Sequence, residues 1–231
     1  MQTSLLFNLA GFLGESTSEE RAKQFALEAE ATIKTNYFQT KMVCEYLFPL
    51  LKSGGRVVNV SSDSGFLPFV PSEDLRKKFA LSDSTLTVEE LDGMMNDFVK
   101  AAQDGNHIEK GWPNMELADH YYVSKAGINA LSRIQQREMN KDKSRKDVAI
   151  NYAYPGYVVT DMTKNTGLLT IDEGAKSILF AANLPPGTDI KGQFIWNDCS
   201  LVDWVNGPTP KDEICDEQLA KYCPWYKPKS K

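Results

Sequence analysis

Tyr121 and Lys125, in the stretch DHYYVSKAG from Asp119 to Gly127, put a phenol and an ammonium four residues apart. On a helix such residues share a face, so the cation can sit near the hydroxyl and favour its phenolate form. A free tyrosine, with a pKa of about 10, gives up its proton poorly at neutral pH, and a nearby positive charge turns it towards general-acid work. The spacing alone does not select this pair, because Tyr37 and Lys41 in YFQTK repeat it in the same chain. Either pair reads equally well as an amphipathic helix carrying an incidental Tyr and Lys.

The elements that must carry these groups can be read along the chain. SLLFNLAG has the length of a buried strand ending in Gly, and helical periodicity follows from about Ser18 to Lys52. Ser16 with Glu19, or Thr17 with Glu20, supplies a capping-box start for that helix. RVVNVSS is rich in β-branched residues and apolar on both faces, as an interior strand of a parallel sheet requires. Two helical segments are expected between Gly65 and Pro113, the clearer one opening with the capping box Thr87 to Glu90. A helix from about Met115 to Asn140 carries Tyr121 and Lys125, DVAINYAYPG reads as a strand, a helix opens at Thr170 with Glu173 behind it, and GQFIW is a last short strand. This alternation predicts a layered α/β fold with a mostly parallel sheet. The residues from Pro208 to Lys231, rich in Pro, Lys and aromatics, read as an extended tail.

Bulk properties narrow the function. With 231 residues, 42% hydrophobic and 25% charged, the chain has the composition of a soluble globular protein of one large domain or two small ones. A net charge of -5 argues against a nucleic-acid partner, whose phosphates call for a basic face. The apolar opening MQTSLLFNLAGFLGE lacks a basic flank and is too short to span a bilayer, so no membrane association is expected. Cys44, Cys199, Cys215 and Cys223 show no CxxC pairing or metal spacing, which predicts free thiols, no metal and a cytoplasmic setting.

In open parallel sheets ligands bind beyond the carboxyl ends of the strands. Ser61 and Ser62 fall at one such end, Asn8 and Gly11 at another, and Pro155, Gly156 and Thr160 at a third. A serine hydroxyl, a tyrosine phenol and a lysine ammonium in one cleft make a carbonyl-handling site, the serine bonding the carbonyl oxygen and the tyrosine protonating it. No GxSxG elbow is present, and His107 and His120 read as surface or helix-packing residues rather than as the base of a triad.

The ordered motifs NLAG, KTNYF, RVVNVSS, YYVSKAGINALSR and YPGYVVTDM resemble those of the short-chain dehydrogenase/reductases, in particular the cytosolic carbonyl reductases, from Leu5 to about Trp204. The resemblance implies a Rossmann-like doubly wound parallel sheet occupying residues 1–207, with a helical insertion over about 66–113. It also selects Tyr121 over Tyr37 as the reactive phenol. It implies catalytic roles for Asn36, Ser62, Tyr121 and Lys125: Ser62 and Tyr121 on the substrate carbonyl, Lys125 lowering the tyrosine pKa and holding the nicotinamide ribose, Asn36 binding a water of the proton relay. Asn8, Gly11, Pro155, Gly156, Val158 and Thr160 would meet an NADPH cofactor, and Tyr157 would face the substrate. The long segment between Ser62 and Tyr121 implies the insertion that keeps carbonyl reductases monomeric, and the apolar face of EELDGMMNDFVKAA should be buried on its own domain.

The departures from the family pattern carry consequences too. A complete member opens with a strand and a TGxxxGxG turn whose amides hold the cofactor pyrophosphate, and no such turn occurs in this sequence. The expected sheet therefore lacks its first three strands, leaves the strand at Leu5 to Leu9 as an apolar edge, and binds NADPH weakly or not at all. Leu9 stands where the family has a second Asn, and Gln39 where a small residue is common. Two classes of function follow: an NADPH-dependent carbonyl reductase, and a non-catalytic relative that keeps the site residues and acts as a binding module.

Overall fold

A computed structural model of the protein describes residues 18–115 and 118–210. The predicted strand at Leu5 to Leu9, with Asn8 and Gly11, the capping residues Ser16 and Thr17, and the tail beyond residue 210 lie outside the described residues.

Helix α1 (Ser18–Thr32) runs without a break into a π-helical segment, Ile33–Gln39, then into α2 (Thr40–Leu47) and a short 3₁₀ turn, Phe48–Leu50. The sequence pattern predicts a single helix here. The change of pitch is the difference, and it places Asn36 and Tyr37 in wide turns of the kind that recur at functional sites. Gly54, at φ +78, then turns the chain into β1 (Arg56–Val60).

Strand β1 pairs in parallel with β2 (Ala149–Ala153), from Arg56 opposite Ala149 to Val60 opposite Ala153. β2 pairs in parallel with β3 (Phe194–Ile195), which pairs antiparallel with β4 (Leu201–Val202). The β4 ribbon is not anticipated by the sequence, since a two-residue strand has no periodicity to read. Among the described residues, β1 has a strand neighbour on one side only.

Side chains alternate across β1 and β2, and each face has its own cover. Tyr152 packs with Ala130, Leu131 and Ile134 of α5 (Asp119–Lys141), and Ile150 with that helix's Met139. On the other face, Ala153 and Val58 meet Ile178 and Ala181 of α6 (Ile171–Ala182). A sheet covered on both faces needs strands apolar throughout, and all five residues of β2 are buried.

Between β1 and α5 the expected insertion folds as α3 (Glu73–Ala80) and α4 (Val88–Gln103). The Thr87–Glu90 box caps α4 and the Thr170–Glu173 box caps α6, each contributing about 1 kcal/mol. α4 turns Leu91, Met94, Met95 and Phe98 into the main core beside Ile33 and Val123, so its apolar face is buried within the chain as predicted. Burying each such side chain is worth roughly 1.5–3 kcal/mol. No helix among the described residues is long and apolar enough to cross a membrane.

Candidate active site

Beyond β1 the chain passes through Ser61 and Ser62 into a 3₁₀ turn, Asp63–Gly65, that lies against α5. Gly65 permits the approach, because a Cβ there would stand 2.7 Å from the Lys125 carbonyl carbon and 2.7 Å from Asn129 Nδ2. The two serines divide their work. Ser61 donates its hydroxyl to Asn129 Oδ1 at 2.5 Å and its amide to Ala153 O at 2.8 Å, which fixes the end of the strand. Ser62 instead meets the Tyr121 hydroxyl in a side-chain hydrogen bond.

Tyr121 and Lys125 lie on one face of α5 as the spacing predicts, with the ammonium 5.5 Å from the Tyr121 ring centroid and donating to Val60 O at 3.1 Å. The electrostatic outcome corrects the expectation that Lys125 lowers the tyrosine pKa. Burial pushes the Tyr121 phenol up to about 12, the bond to Ser62 opposes this, and the Asp63 charge adds to it. Burial also brings Lys125 down to about 8. Over the ring face rather than against the oxygen, the ammonium does not offset the cost of removing a phenolate from water. Tyr121 thus keeps its proton at neutral pH.

Asn36, in the π-helical segment, donates from Nδ2 to Ser124 Oγ at 3.0 Å, and Ser124 donates to the Tyr121 carbonyl at 2.7 Å. It therefore braces the turn of α5 that bears Tyr121. Past β2, Pro155 leads to Gly156 at φ +85, where a Cβ would stand 2.3 Å from Leu169 Cδ1. Val158 bridges to Leu169, Thr163 Oγ1 donates to Val158 O at 2.7 Å, and Thr160 starts the 3₁₀ turn Asp161–Thr163. Tyr157 and Thr166 join hydroxyls at 2.6 Å, so Tyr157 is anchored in this loop.

One group is missed by the sequence reading. Ser62 donates to Asp63 Oδ1 at 2.8 Å, and the same oxygen accepts Ser64 N at 2.8 Å and Ser64 Oγ at 3.3 Å. A hydroxyl has one hydrogen, so Ser62 can offer it to Asp63 or to Tyr121 but not to both at once. Ser64 is likewise hydrogen-bonded to Tyr122 as well as to Asp63. Two tyrosine-to-serine bonds thus converge on one carboxylate. The signal was an acidic residue directly after Ser62, but its orientation is set by tertiary structure.

The second Tyr-Lys pair is structural. Tyr37 is fully buried and donates to Asp92 Oδ1 at 2.9 Å, while Lys41 pairs with Asp92 Oδ2 at 2.5 Å. Burial, then the Asp92 charge, holds the Tyr37 phenol far above its ordinary range. Both histidines pack between helices: His107 bonds Asp119 at 2.9 Å and stacks on Phe25, and His120 is buried beside Thr32 and Glu28. A cleft of about 490 Å³ between α2 and β1 is lined by Thr35, Cys44, Leu47 and Val57 and includes none of the predicted site residues.

A serine and a tyrosine thus lie at the carboxyl end of a parallel strand, where open sheets bind ligands, with a lysine one helical turn on. The chain is 40% identical over 182 residues to carbonyl reductase (NADPH) 1 of Rattus norvegicus, covering 78% of this chain and 63% of the relative. It is 37% identical over 182 residues to carbonyl reductase (NADPH) 3 of Homo sapiens, with the same coverage. Salutaridine reductase from Papaver somniferum superposes with a TM-score of 0.65 at 30% identity, covering 83% of this chain and 65% of that one. The chain belongs to the short-chain dehydrogenase/reductase family. Menthone neomenthol reductase from Mentha piperita matches as well, with a TM-score of 0.60 at 33% identity over 74% of this chain and 52% of that one. No protein-family model matches. The chain spans just under two thirds of the length of the curated relatives it matches.

Proposed function

We propose that the chain carries the carbonyl-binding and proton-donating machinery of an NADPH-dependent carbonyl reductase. The observation that supports the reading most is the hydrogen bond between Tyr121 and Ser62 beside the Lys125 ammonium, all at the carboxyl end of β1. A ketone or aldehyde oxygen would enter between Ser62 and Tyr121, and Tyr121 would give its hydroxyl proton to that oxygen as negative charge develops on it.

The residues present fit the nicotinamide end of a cofactor. Lys125 spends one of its three hydrogens on Val60 O, which leaves donors for a ribose. Gly156 and the loop through Val158 and Thr160 follow the neighbouring strand β2, at the same end of the sheet at which Ser61 and Ser62 follow β1. NADPH would supply the hydride, and Lys125, Pro155, Gly156, Val158 and Thr160 would hold it, while Asn36 would keep Tyr121 in place through Ser124. Tyr157 would line the substrate side.

A second reading, a non-catalytic relative acting as a binding module, is favoured by one observation: Ser62 has its proton on Asp63 rather than turned to a substrate. NADPH oxidation dependent on an added ketone, compared between the chain and Tyr121→Phe, separates the two. The variant should lose about 100- to 10,000-fold in rate. Equal rates remove the enzyme reading from this chain.

A further inference from the structure

The loop after Ser62 holds a carboxylate where a carbonyl reductase site would gain from having none. A negative charge one residue from Ser62 opposes the charge that grows on a carbonyl oxygen during reduction, and it competes for the hydrogen that Ser62 would offer. The competition is direct. Ser62 Oγ donates to Asp63 Oδ1 at 2.8 Å, and a hydrogen bond to an ionised acceptor is stronger than one to a neutral carbonyl. Asp63 is held in that position from the other side by Ser64 N at 2.8 Å and Ser64 Oγ at 3.3 Å, with Tyr122 bonded to Ser64 in turn. The Ser62 hydroxyl therefore sits between Tyr121 and Asp63, with its hydrogen directed to the carboxylate.

We propose that Asp63 is a specificity-determining residue of this site, favouring carbonyl substrates that carry a hydroxyl or ammonium donor on the carbon next to the carbonyl. The inference rests on the carbonyl reductase reading above. A substrate of that class brings its own hydrogen for Asp63, so Ser62 can swing its hydrogen from the carboxylate to the carbonyl oxygen without costing Asp63 a partner. The same donor also partly neutralises Asp63 as the oxyanion forms. A plain ketone must take the Ser62 hydrogen and leave Asp63 short of one partner. The geometry sets the donor's place: Ser62 Oγ and Asp63 Oδ1 are 2.8 Å apart, so the two substrate groups that replace their mutual contact must be neighbours on the substrate as well.

The test uses hydroxyacetone and methoxyacetone, in which the oxygen on the carbon next to the carbonyl carries a hydrogen and a methyl group respectively, in NADPH-dependent reduction by the chain, Asp63→Ala and Asp63→Asn. The chain should favour hydroxyacetone at least about tenfold in kcat/KM. Asp63→Ala should abolish that preference, chiefly by improving KM for methoxyacetone, and Asp63→Asn, which keeps an acceptor oxygen and the turn, should reduce it. With methoxyacetone, Ser62→Ala should cost more in the Asp63→Ala background than alone, because for a substrate without a donor only that background frees the serine hydrogen. A hydroxyacetone to methoxyacetone ratio unchanged by Asp63→Ala overturns the proposal while leaving the proposed function intact. Reduction of neither compound by any form overturns both. The Tyr121 Cζ resonance, assigned with Tyr121→Phe, reads the hydrogen-bond chain without activity. Displacement by Asp63→Ala in folded protein supports the arrangement, and no displacement sinks it.

Discussion

The Lys41 ammonium and the Asp92 carboxylate form an ion pair, Nζ to Oδ2 at 2.5 Å, that ties the start of α2 to α4 of the insertion. The second carboxylate oxygen takes the buried Tyr37 hydroxyl at 2.9 Å, so one acidic side chain satisfies two helix-borne groups. The repeated Tyr-Lys spacing is therefore structural in the first instance. Asp92→Ala leaves a buried phenol and a partly buried ammonium without their acceptor, and should destabilise the protein by about 2–3 kcal/mol in urea unfolding. Tyr37→Phe, which removes donor and need together, should cost less than half as much.

Gly65→Ala tests the turn that aims Ser62. The added methyl meets main-chain atoms of Lys125 at 2.7 and 2.8 Å, and backbone in a helix cannot step aside as a flexible side chain can. The turn must move instead. The expected loss is about 1–3 kcal/mol, with a fall in carbonyl reduction per folded molecule because Ser62 sits at the N-cap of that turn. An alanine variant of full stability and rate would show that the contact is not restrictive.

Local signals made most of the elements readable. The Thr87 and Thr170 boxes mark helix starts through contacts three residues away, and the β-branched runs at Arg56–Val60 and Ala149–Ala153 need only a sheet covered on both sides. Ordered motifs separated Tyr121 from Tyr37, which spacing could not do. What stayed hidden depends on tertiary surroundings. The π-helical pitch at Asn36 leaves the apolar pattern almost unchanged, and β4 exists through its pairing with β3. The direction of the Tyr121 shift reversed because i,i+4 geometry places Lys125 over the ring while burial acts on the oxygen. Asp63 escaped for a related reason: a carboxylate beside Ser62 has meaning only when its rotamer and the Ser64 contacts are known.

His120 should make stability sensitive to mild acid. Burial holds its imidazole down at about 4, against about 6.5 when unfolded, so between those values the unfolded chain binds the extra proton. Stability is then complete above pH 6.5 and falls as the pH drops towards 4, by up to about 3 kcal/mol from this group. His120→Gln should flatten that slope in urea unfolding between pH 4 and 7. Parallel slopes for the two proteins would place the acid sensitivity elsewhere.

Lys125 offers the opposite sign at the alkaline end. Its ammonium is brought down to about 8 by burial, whereas the unfolded residue titrates near 10.4, so the folded state gives up its proton first. Below pH 8 the buried charge costs stability, and between about 8 and 10.4 the cost is recovered as the unfolded state holds the proton that the folded state has lost. Lys125→Met keeps the stem volume and removes the charge, at the expense of the 3.1 Å bond to Val60 O. It should therefore be more stable than the parent by about 1–2 kcal/mol at pH 7, the gap narrowing as pH rises through 8 to 10. The same variant should lose carbonyl reduction, since the donors proposed to hold a nicotinamide ribose go with the charge. A residue whose removal strengthens the fold and silences the reaction is held in place by the reaction, and a destabilised but active Lys125→Met would contradict that assignment.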